Sequence, residues 1–301
     1  MKIDKRNGAV CFNDETHTYW NENDNGRYIS VTTLIGKYAP PYDSDFWSAY
    51  KALEKLLPSE SWKIEKKALL STKKIDKNIL SLYDISDNDF NKAQQDILDE
   101  WEAKKKASCE RGTKIHAKLE NSFYEAGKNV SLKKFGIGGK FECKKDYQEL
   151  DLEYGVYPEY LIYSESNDKI LRLAGQIDLL IKNGNEITIC DWKTNEKIRT
   201  KNEYYDKNTR STVKMLYPLN TLDECELSHY TMQLSTYAWM LQKLHPEFVI
   251  NKLIICHWDH NNKNTIYECP YLKKEVESML RDYKRKIIKE IQQERRKPIE
   301  Y

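Results

Sequence analysis

Apolar residues follow two different periods along this chain, and the change between them marks its organisation. In residues 9–33 the strand formers Val10, Phe12, Tyr19, Tyr28, Ile29 and Val31, with the turn signal Asn25-Gly26, predict a β-hairpin or short meander. Pro40-Pro41 interrupts the chain, and beyond it Phe46, Trp47, Tyr50, Leu53, Leu56 and Leu57 recur at helical spacing. Residues 58–90 are Lys-rich and weakly periodic. A long helical pattern then runs from about Phe90 through Ile97, Leu98 and Trp101 to Leu119 and Phe123, with Gly127 as its stop. The FGIGGK stretch at 135–140 reads as a loop. It is not a phosphate-binding P-loop, because Phe141 stands where that motif needs Ser or Thr.

From there the strand period dominates. Val156–Tyr163, Leu173–Lys182 and Glu186–Lys193 are predicted strands, the last two separated by Asn183-Gly184-Asn185. His229–Leu244 is helical, Val249–Trp258 is a fourth strand, and Leu272–Gln293 forms a closing helix. Residues 107–258 therefore read helix, three strands, helix, strand, an α/β unit with a partly antiparallel sheet. The chain divides into an N-terminal hairpin and mainly helical cap or arch region (1–105), a core (106–260) and a basic C-terminal helix (261–301).

Composition narrows the class. With 21 Tyr, 7 Trp and 7 Phe in 301 residues the chain has too much buriable surface to remain unfolded. No run approaches the apolar length of a membrane span, and MKIDKRNGAV lacks the apolar stretch of a secretory signal. A cytoplasmic protein with no membrane partner is expected. The seven Cys are scattered without a CxxC pair, which fits reduced thiols rather than a disulfide framework or zinc ribbon. Net charge is only +2, but basic residues gather in Lys193–Lys214 and Tyr271–Lys297, where they can track a phosphate backbone. A solvated helix face laced with ion pairs is the plainer reading of the second cluster.

Candidate chemistry concentrates in AGQIDLLIKNGNEITICDWKT, Ala174 to Thr194. If Asn183-Gly184 is the turn, Asp178 lies opposite Ile189; if Gly184-Asn185 is the turn, it lies opposite Asp191. Both two-residue registers place Asp178 and Asp191 on one face, and Lys193 shares it, whereas a three-residue loop would break this parity unless a bulge restored it. Two carboxylates so close resist joint ionisation, and a hard divalent cation such as Mg²⁺ resolves the conflict. An internal Asp–Lys ion pair is the plainer alternative. On the first helix His116 and Glu120 stand at i, i+4, as do Gln233 and Tyr237 on the second. His257-Trp258-Asp259-His260 offers zinc ligands, but a polar strand end entering a loop suits its spacing better.

GTKIH with Glu120, GQID ending at Asp178, DWK from Asp191 to Lys193, and QLSTY from Gln233 to Tyr237 together resemble the PD-(D/E)xK nuclease superfamily in its RecB-like branch. The resemblance covers roughly residues 105–260 and includes stand-alone phage exonucleases and the mitochondrial genome maintenance exonuclease. It implies a restriction-endonuclease-like core and hydrolysis of DNA phosphodiesters with one or two Mg²⁺ or Mn²⁺ ions. His116, Asp178, Asp191 and the backbone carbonyl of Trp192 would hold metal, and Lys193 would orient water. Gln233 and Tyr237 would position DNA or the lysine, and Glu120 would support the site. Glu159 on the first strand is a further addition whose face the sequence does not fix. The closely spaced cysteines of the iron–sulfur members are missing, so no cluster is expected.

The favoured expectation is an exonuclease acting on DNA ends or single strands in viral recombination, repair or processing, in a host cytoplasm. A recombinase or single-strand-binding protein is the partner class in view. Lys197, Arg199, Lys201, Lys207, Arg210 and Lys214 would line the groove for the backbone, with Trp47, Trp62 or Tyr204 stacking on unpaired bases. A structure-selective endonuclease of the same fold and a catalytically silent nucleic-acid-binding protein are the alternatives.

Overall fold

The N-terminal run of strands stops one residue sooner than its alternation suggests, and the cause is local. Ser30 Oγ accepts from Thr33 N at 3.0 Å, an N-cap that turns Val31 into the first residue of a helix, α1 (Val31–Gly36). Before it come β1 (Lys5–Asn7), β2 (Val10–Asn13), β3 (Thr18–Asn21) and β4 (Arg27–Ser30), each antiparallel to the next. The computed structural model describes residues 3, 5–76, 78–144, 152–202, 205–206, 211–261 and 263–296. The chain forms two units, residues 1–40 with 114–301, and residues 41–113.

The smaller unit is helical: α2 (Ser44–Leu56), α3 (Ser59–Thr72), α4 (Asn78–Leu82) and the start of α5 (Asp87–Ala126). Its core gathers Phe46, Tyr50, Leu53, Trp62, Leu69, Ile79 and Leu80. Only Trp62 and Leu69 are buried on α3, which is why the apolar period there is faint in the sequence.

The larger unit is built on a sheet of nine strands among the described residues. The α5 helix contributes its C-terminal part, and the short strands β5 (Val130–Ser131) and β6 (Lys140–Phe141) follow as a separate pair. Then come β7 (Gly155–Glu165), β8 (Arg172–Asn183) and β9 (Glu186–Lys193), an antiparallel meander. After the small pair β10 (Tyr205–Asp206) and β11 (Ser211–Thr212), α6 (Glu226–Leu244) crosses back. It leads to β12 (Val249–Trp258), which lies parallel to β9, and to β13 (Asn264–Cys269), an edge strand that the sequence pattern did not reveal. The last element is α7 (Lys273–Glu294). The order α5, β7–β9, α6, β12 is the helix, three strands, helix, strand expected from the sequence.

The position of β8 organises the sheet. One edge pairs with β7 from end to end. The other edge is shared: Leu173 and Ala174 pair with β4, and Leu179 to Asn183 pair with β9. Asn7 of β1 ties the N-terminal strands to this centre, donating from Nδ2 to Leu161 O at 2.8 Å. The main core fills the face beneath α6 and α7 with Ile177, Leu180, Ile189, Leu234, Leu241 and Met279 among its members. The opposite face packs Trp192, Cys190, Leu179 and Ile254 against Phe123 of α5 and Phe135.

Because Leu180 is fully buried, Leu180→Ala removes apolar surface and leaves a cavity. It should cost about 2–5 kcal/mol in a urea titration, whereas Val249→Ala, at a position 58% exposed, should stay within about 0.5 kcal/mol. Equal effects of the two would contradict this assignment of the core.

Candidate active site

The β8–β9 ladder pairs Asn183 with Glu186 and Leu179 with Cys190, so Gly184-Asn185 is the turn, with Gly184 at φ 61°. Of the two registers open in the sequence, this is the one in which Asp178 faces Asp191. The ladder ends one step before that pair. Instead Asp178 Oδ2 accepts from the backbone N of Trp192 at 2.6 Å.

A second irregularity sits on the other side of Asp178. The β7–β8 ladder pairs Pro158 with Leu179 and Tyr160 with Ile177, and skips the intervening Glu159 and Asp178. Glu159 has φ 52°, a left-handed conformation uncommon for a residue with a Cβ. The side-chain alternation changes phase here on both strands. Leu173 and Ile177 lie under α6, yet so does Leu180; Tyr157 lies there, yet so do Tyr160 and Ile162. The phase change brings the Glu159 and Asp178 carboxylates toward the same imidazole. His116, from α5, has Nδ1 3.7 Å from Glu159 Oε1 and 3.6 Å from Asp178 Oδ1, and its Nε2 lies 3.2 Å from Trp192 O. One donor atom from each of His116, Glu159 and Asp178 falls within 4.8 Å of the others.

The electrostatics follow from burial. Asp178 is 8% exposed and Asp191 2%. Burial pushes the Asp178 carboxyl up and the Asp191 charge adds to this, with His116 opposing. Burial alone would lower the His116 pKa, but Asp178, Glu159 and Asp191 outweigh it and hold the imidazole up at about 9. Lys193 behaves likewise: burial lowers its pKa, the Asp191 and Asp178 charges more than restore it, and it is raised overall.

Helix α6 holds the lysine in place. Lys193 Nζ pairs with Asp191 Oδ2 at 2.6 Å and donates to Gln233 Oε1 at 3.2 Å. Gln233 Nε2 donates to Asp191 Oδ1 at 3.0 Å, and the Tyr237 hydroxyl lies 3.3 Å from the same nitrogen. The face of Tyr230, one turn earlier, lies 4.5 Å from Lys193 Nζ. Tyr230, expected from the sequence only as part of the apolar face of this helix, is an addition to the site, and its place three residues before Gln233 was the usable signal. The glycine of GQID also has a reason: a Cβ on Gly175 would stand 2.5 Å from Tyr237 Cε1.

Other expected residues are placed elsewhere. Glu120 is one turn beyond His116 but bonds to Tyr124 Oη at 2.9 Å and pairs with Lys5 at 3.8 Å, a lysine that also reaches Glu159 at 3.7 Å. Of the groove cations, Arg199 is engaged by Glu226 at 2.7 Å and Lys214 by Asp223. Lys207, Arg210 and Tyr204 lie outside the described residues. Trp62 is a core residue of the helical unit, its Nε1 donating to Glu54 at 3.2 Å, while Trp47 carries Lys73 Nζ 4.2 Å above its ring. His257 is buried and lies 2.7 Å from Asn195 O, next to Lys193 in the β9–β12 register, so it braces the loop that follows the lysine.

The donor set suits a hard or borderline divalent cation, offering carboxylate oxygens, one imidazole and a backbone carbonyl. Asp191 Oδ2 is buried and receives no well-aligned hydrogen bond, its contact with Lys193 being ionic.

Comparison with known proteins agrees with the chemistry. Residues 79–301 match the family model of the PD-(D/E)XK nuclease superfamily. No curated protein matches the chain. Among solved structures, SSO0001 is 20% identical with a TM-score of 0.27, over 44% of this chain, which spans about half (50%) of SSO0001. A "putative exonuclease" from Eubacterium rectale is 10% identical with a TM-score of 0.31, over 87% of this chain and 80% of that one. Neither likeness is close enough to carry an argument about the site.

Two outcomes are expected here. Gly175→Ala should destabilise the protein by about 1–3 kcal/mol through overpacking against Tyr237; an unchanged urea midpoint would contradict the close approach. In the metal-free protein the His116 ring should titrate near pH 9 by NMR. The stability it contributes is complete below pH 6.5, its ordinary value, and is lost as pH rises through about 9. Glu159→Gln should lower that midpoint; a His116 midpoint at its ordinary value would refute the charge balance described.

Proposed function

Since the chain belongs to the PD-(D/E)XK nuclease superfamily, we propose that it is a metal-dependent deoxyribonuclease of the RecB-like branch, cutting phosphodiester bonds at DNA ends. The observation that carries this reading is the grouping of His116, Glu159 and Asp178 within 4.8 Å, beside the Asp191–Lys193 pair. His116, Glu159, Asp178, Asp191 and the carbonyl of Trp192 would hold one or two Mg²⁺ or Mn²⁺ ions. When bound, the cation activates water and offsets charge that builds on the phosphoryl oxygens.

The protein groups have distinct tasks. Lys193 is the cation held at the site: its ammonium orients the attacking water and stabilises the charge developing at the phosphorus-bound oxygens. Gln233 accepts from Lys193 and donates to Asp191, so it sets the distance between the acid and the base partner of the motif. Tyr237 fixes the amide of Gln233, and Tyr230 gives the ammonium a second, uncharged neighbour. The backbone N–H of Trp192 holds Asp178 in its rotamer. Glu120 acts from outside the cluster, through the lysine it shares with Glu159. The exonuclease preference, the viral setting and a recombinase or single-strand-binding partner rest on the resemblance of GTKIH, GQID, DWK and QLSTY to stand-alone phage exonucleases.

Linear duplex, end-labelled single strands and closed circular DNA, incubated with Mg²⁺, Mn²⁺ or EDTA, test the proposal. Metal-dependent loss of linear DNA with the circle intact is expected, and Lys193→Ala should lower the rate by at least about a hundredfold. Cutting of the circle would replace the exonuclease with an endonuclease. Full activity in EDTA, or in Lys193→Ala, would overturn the mechanism itself.

A further inference from the structure

The basic C-terminal helix plays no part in the chemistry above, yet its charges are not scattered. α7 buries Val276, Met279 and Leu280. On the opposite face Lys274, Arg281, Arg285 and Lys289 are exposed and follow one another at helical spacing. Ser278 and Gln292 complete that stripe, which Glu277 and Asp282 flank. The α7 lysines that do pair with carboxylates, Lys284 with Asp168 at 2.6 Å and Lys286 with Asp282 at 2.8 Å, lie to either side. Asp282 interacts with Arg285 as well as with Lys286, so the stripe is a basic face that the acids flanking it offset in part.

Arg281 belongs to a second feature as well. It stands on the rim of a cavity of about 330 Å³ between α6, α7 and the turn joining β7 to β8. The walls are apolar, formed by the Trp239 ring with Leu171, Leu173 and Leu280. Lys243, whose Nζ lies 5.5 Å over the Trp239 ring, and Lys284, paired with Asp168, join Arg281 in the lining, with Glu277 as its acidic group. An apolar slot with an aromatic wall and cations at its mouth matches an unpaired nucleotide, whose base is flat and apolar on its faces and whose phosphate is an anion. A base inside a duplex cannot enter such a slot.

We propose that this cavity takes one unpaired base of a single DNA strand against Trp239, and that the adjoining phosphates run along Arg281, Arg285 and Lys289 of α7. The inference rests on the nuclease reading and names the form of substrate the chain holds. Successive cations of the stripe are about 6 Å apart along the helix axis, so each can meet a different phosphate of an extended strand. Gln233 and Trp239 stand six residues apart on α6, about 9 Å along its axis and on different sides of the helix.

Binding of a short fluorescein-labelled oligothymidylate, followed by anisotropy in EDTA over a range of salt, tests this without any cleavage. Removing three phosphate contacts in the triple variant Arg281→Ala, Arg285→Ala, Lys289→Ala should flatten the slope of log K against log salt by about 2. Trp239→Leu should weaken binding about tenfold at unchanged slope, and Trp239→Phe should keep most of the affinity. Melting curves matching wild type establish that the exposed α7 substitutions leave the fold intact. A triple variant with the wild-type slope, a Trp239→Leu variant with wild-type affinity, or wild-type protein that prefers duplex to single strand would each overturn the proposal. If wild type cuts DNA while the triple variant binds unchanged, this inference fails and the nuclease reading stands. If wild type binds with the full slope but never cuts, the nuclease reading fails and the binding track stands.

Discussion

Asp178 and Asp191 are almost removed from water and approach each other across two adjacent strands, and like charges in that position are costly unless something offsets them. The protein offsets them from three directions. His116 arrives from α5 on one side, Lys193 from the end of β9 on the other, and the backbone N–H of Trp192 donates to the second carboxylate oxygen of Asp178. Each cationic partner is itself largely buried, and each is held charged by the same carboxylates. The cluster is thus mutually dependent: removing any one charge leaves the others uncompensated in a dry environment. In the proposed reading a divalent cation takes over part of the compensation that the proton and the ammonium contact now supply.

The sheet is bent to permit this. A regular ladder would send Glu159 and Asp178 to alternate with their neighbours and would pair their backbones. Both strands instead change phase at that level, and Glu159 takes a left-handed backbone. Because the two irregularities fall opposite each other, the register before and after is unchanged, so the break is confined to the residues that need it. The free edge of β8 between Ala174 and Leu179, where β4 has ended and β9 has not begun, lies beside α6. Gly175 makes that approach possible by offering no side chain to Tyr237.

Much of this was legible in the residues. The two-residue turn and the regular Leu179–Cys190 hairpin put Asp178 opposite Asp191, one of the two registers that the sequence offered, although the alternation of β8 breaks at Asp178 itself. The i, i+4 spacing of Gln233 and Tyr237 likewise foretold one helix face. What the pattern hid had physical causes. Val31 looks like a strand residue, and only the Ser30 cap makes it helical. α3 buries too few side chains to show a period. The face of Glu159 depended on a backbone irregularity that no alternation rule contains. Glu120 appeared to belong with His116, but Lys5, distant in sequence, draws it aside. Of the cations after β9, Arg199 and Lys214 have carboxylates of their own, which the sequence did not reveal, and the stripe on α7 emerges only once the buried face of that helix is known.

The most direct test of the central claim, that these buried acids form a metal centre, is anomalous diffraction from crystals of the protein grown with Mn²⁺. The account predicts a Mn²⁺ peak within coordinating distance of His116, Glu159 and Asp178, and its loss in Asp178→Asn. A fully occupied wild-type structure with Mn²⁺ bound elsewhere and none among these residues, under conditions in which the protein cuts DNA, would contradict it.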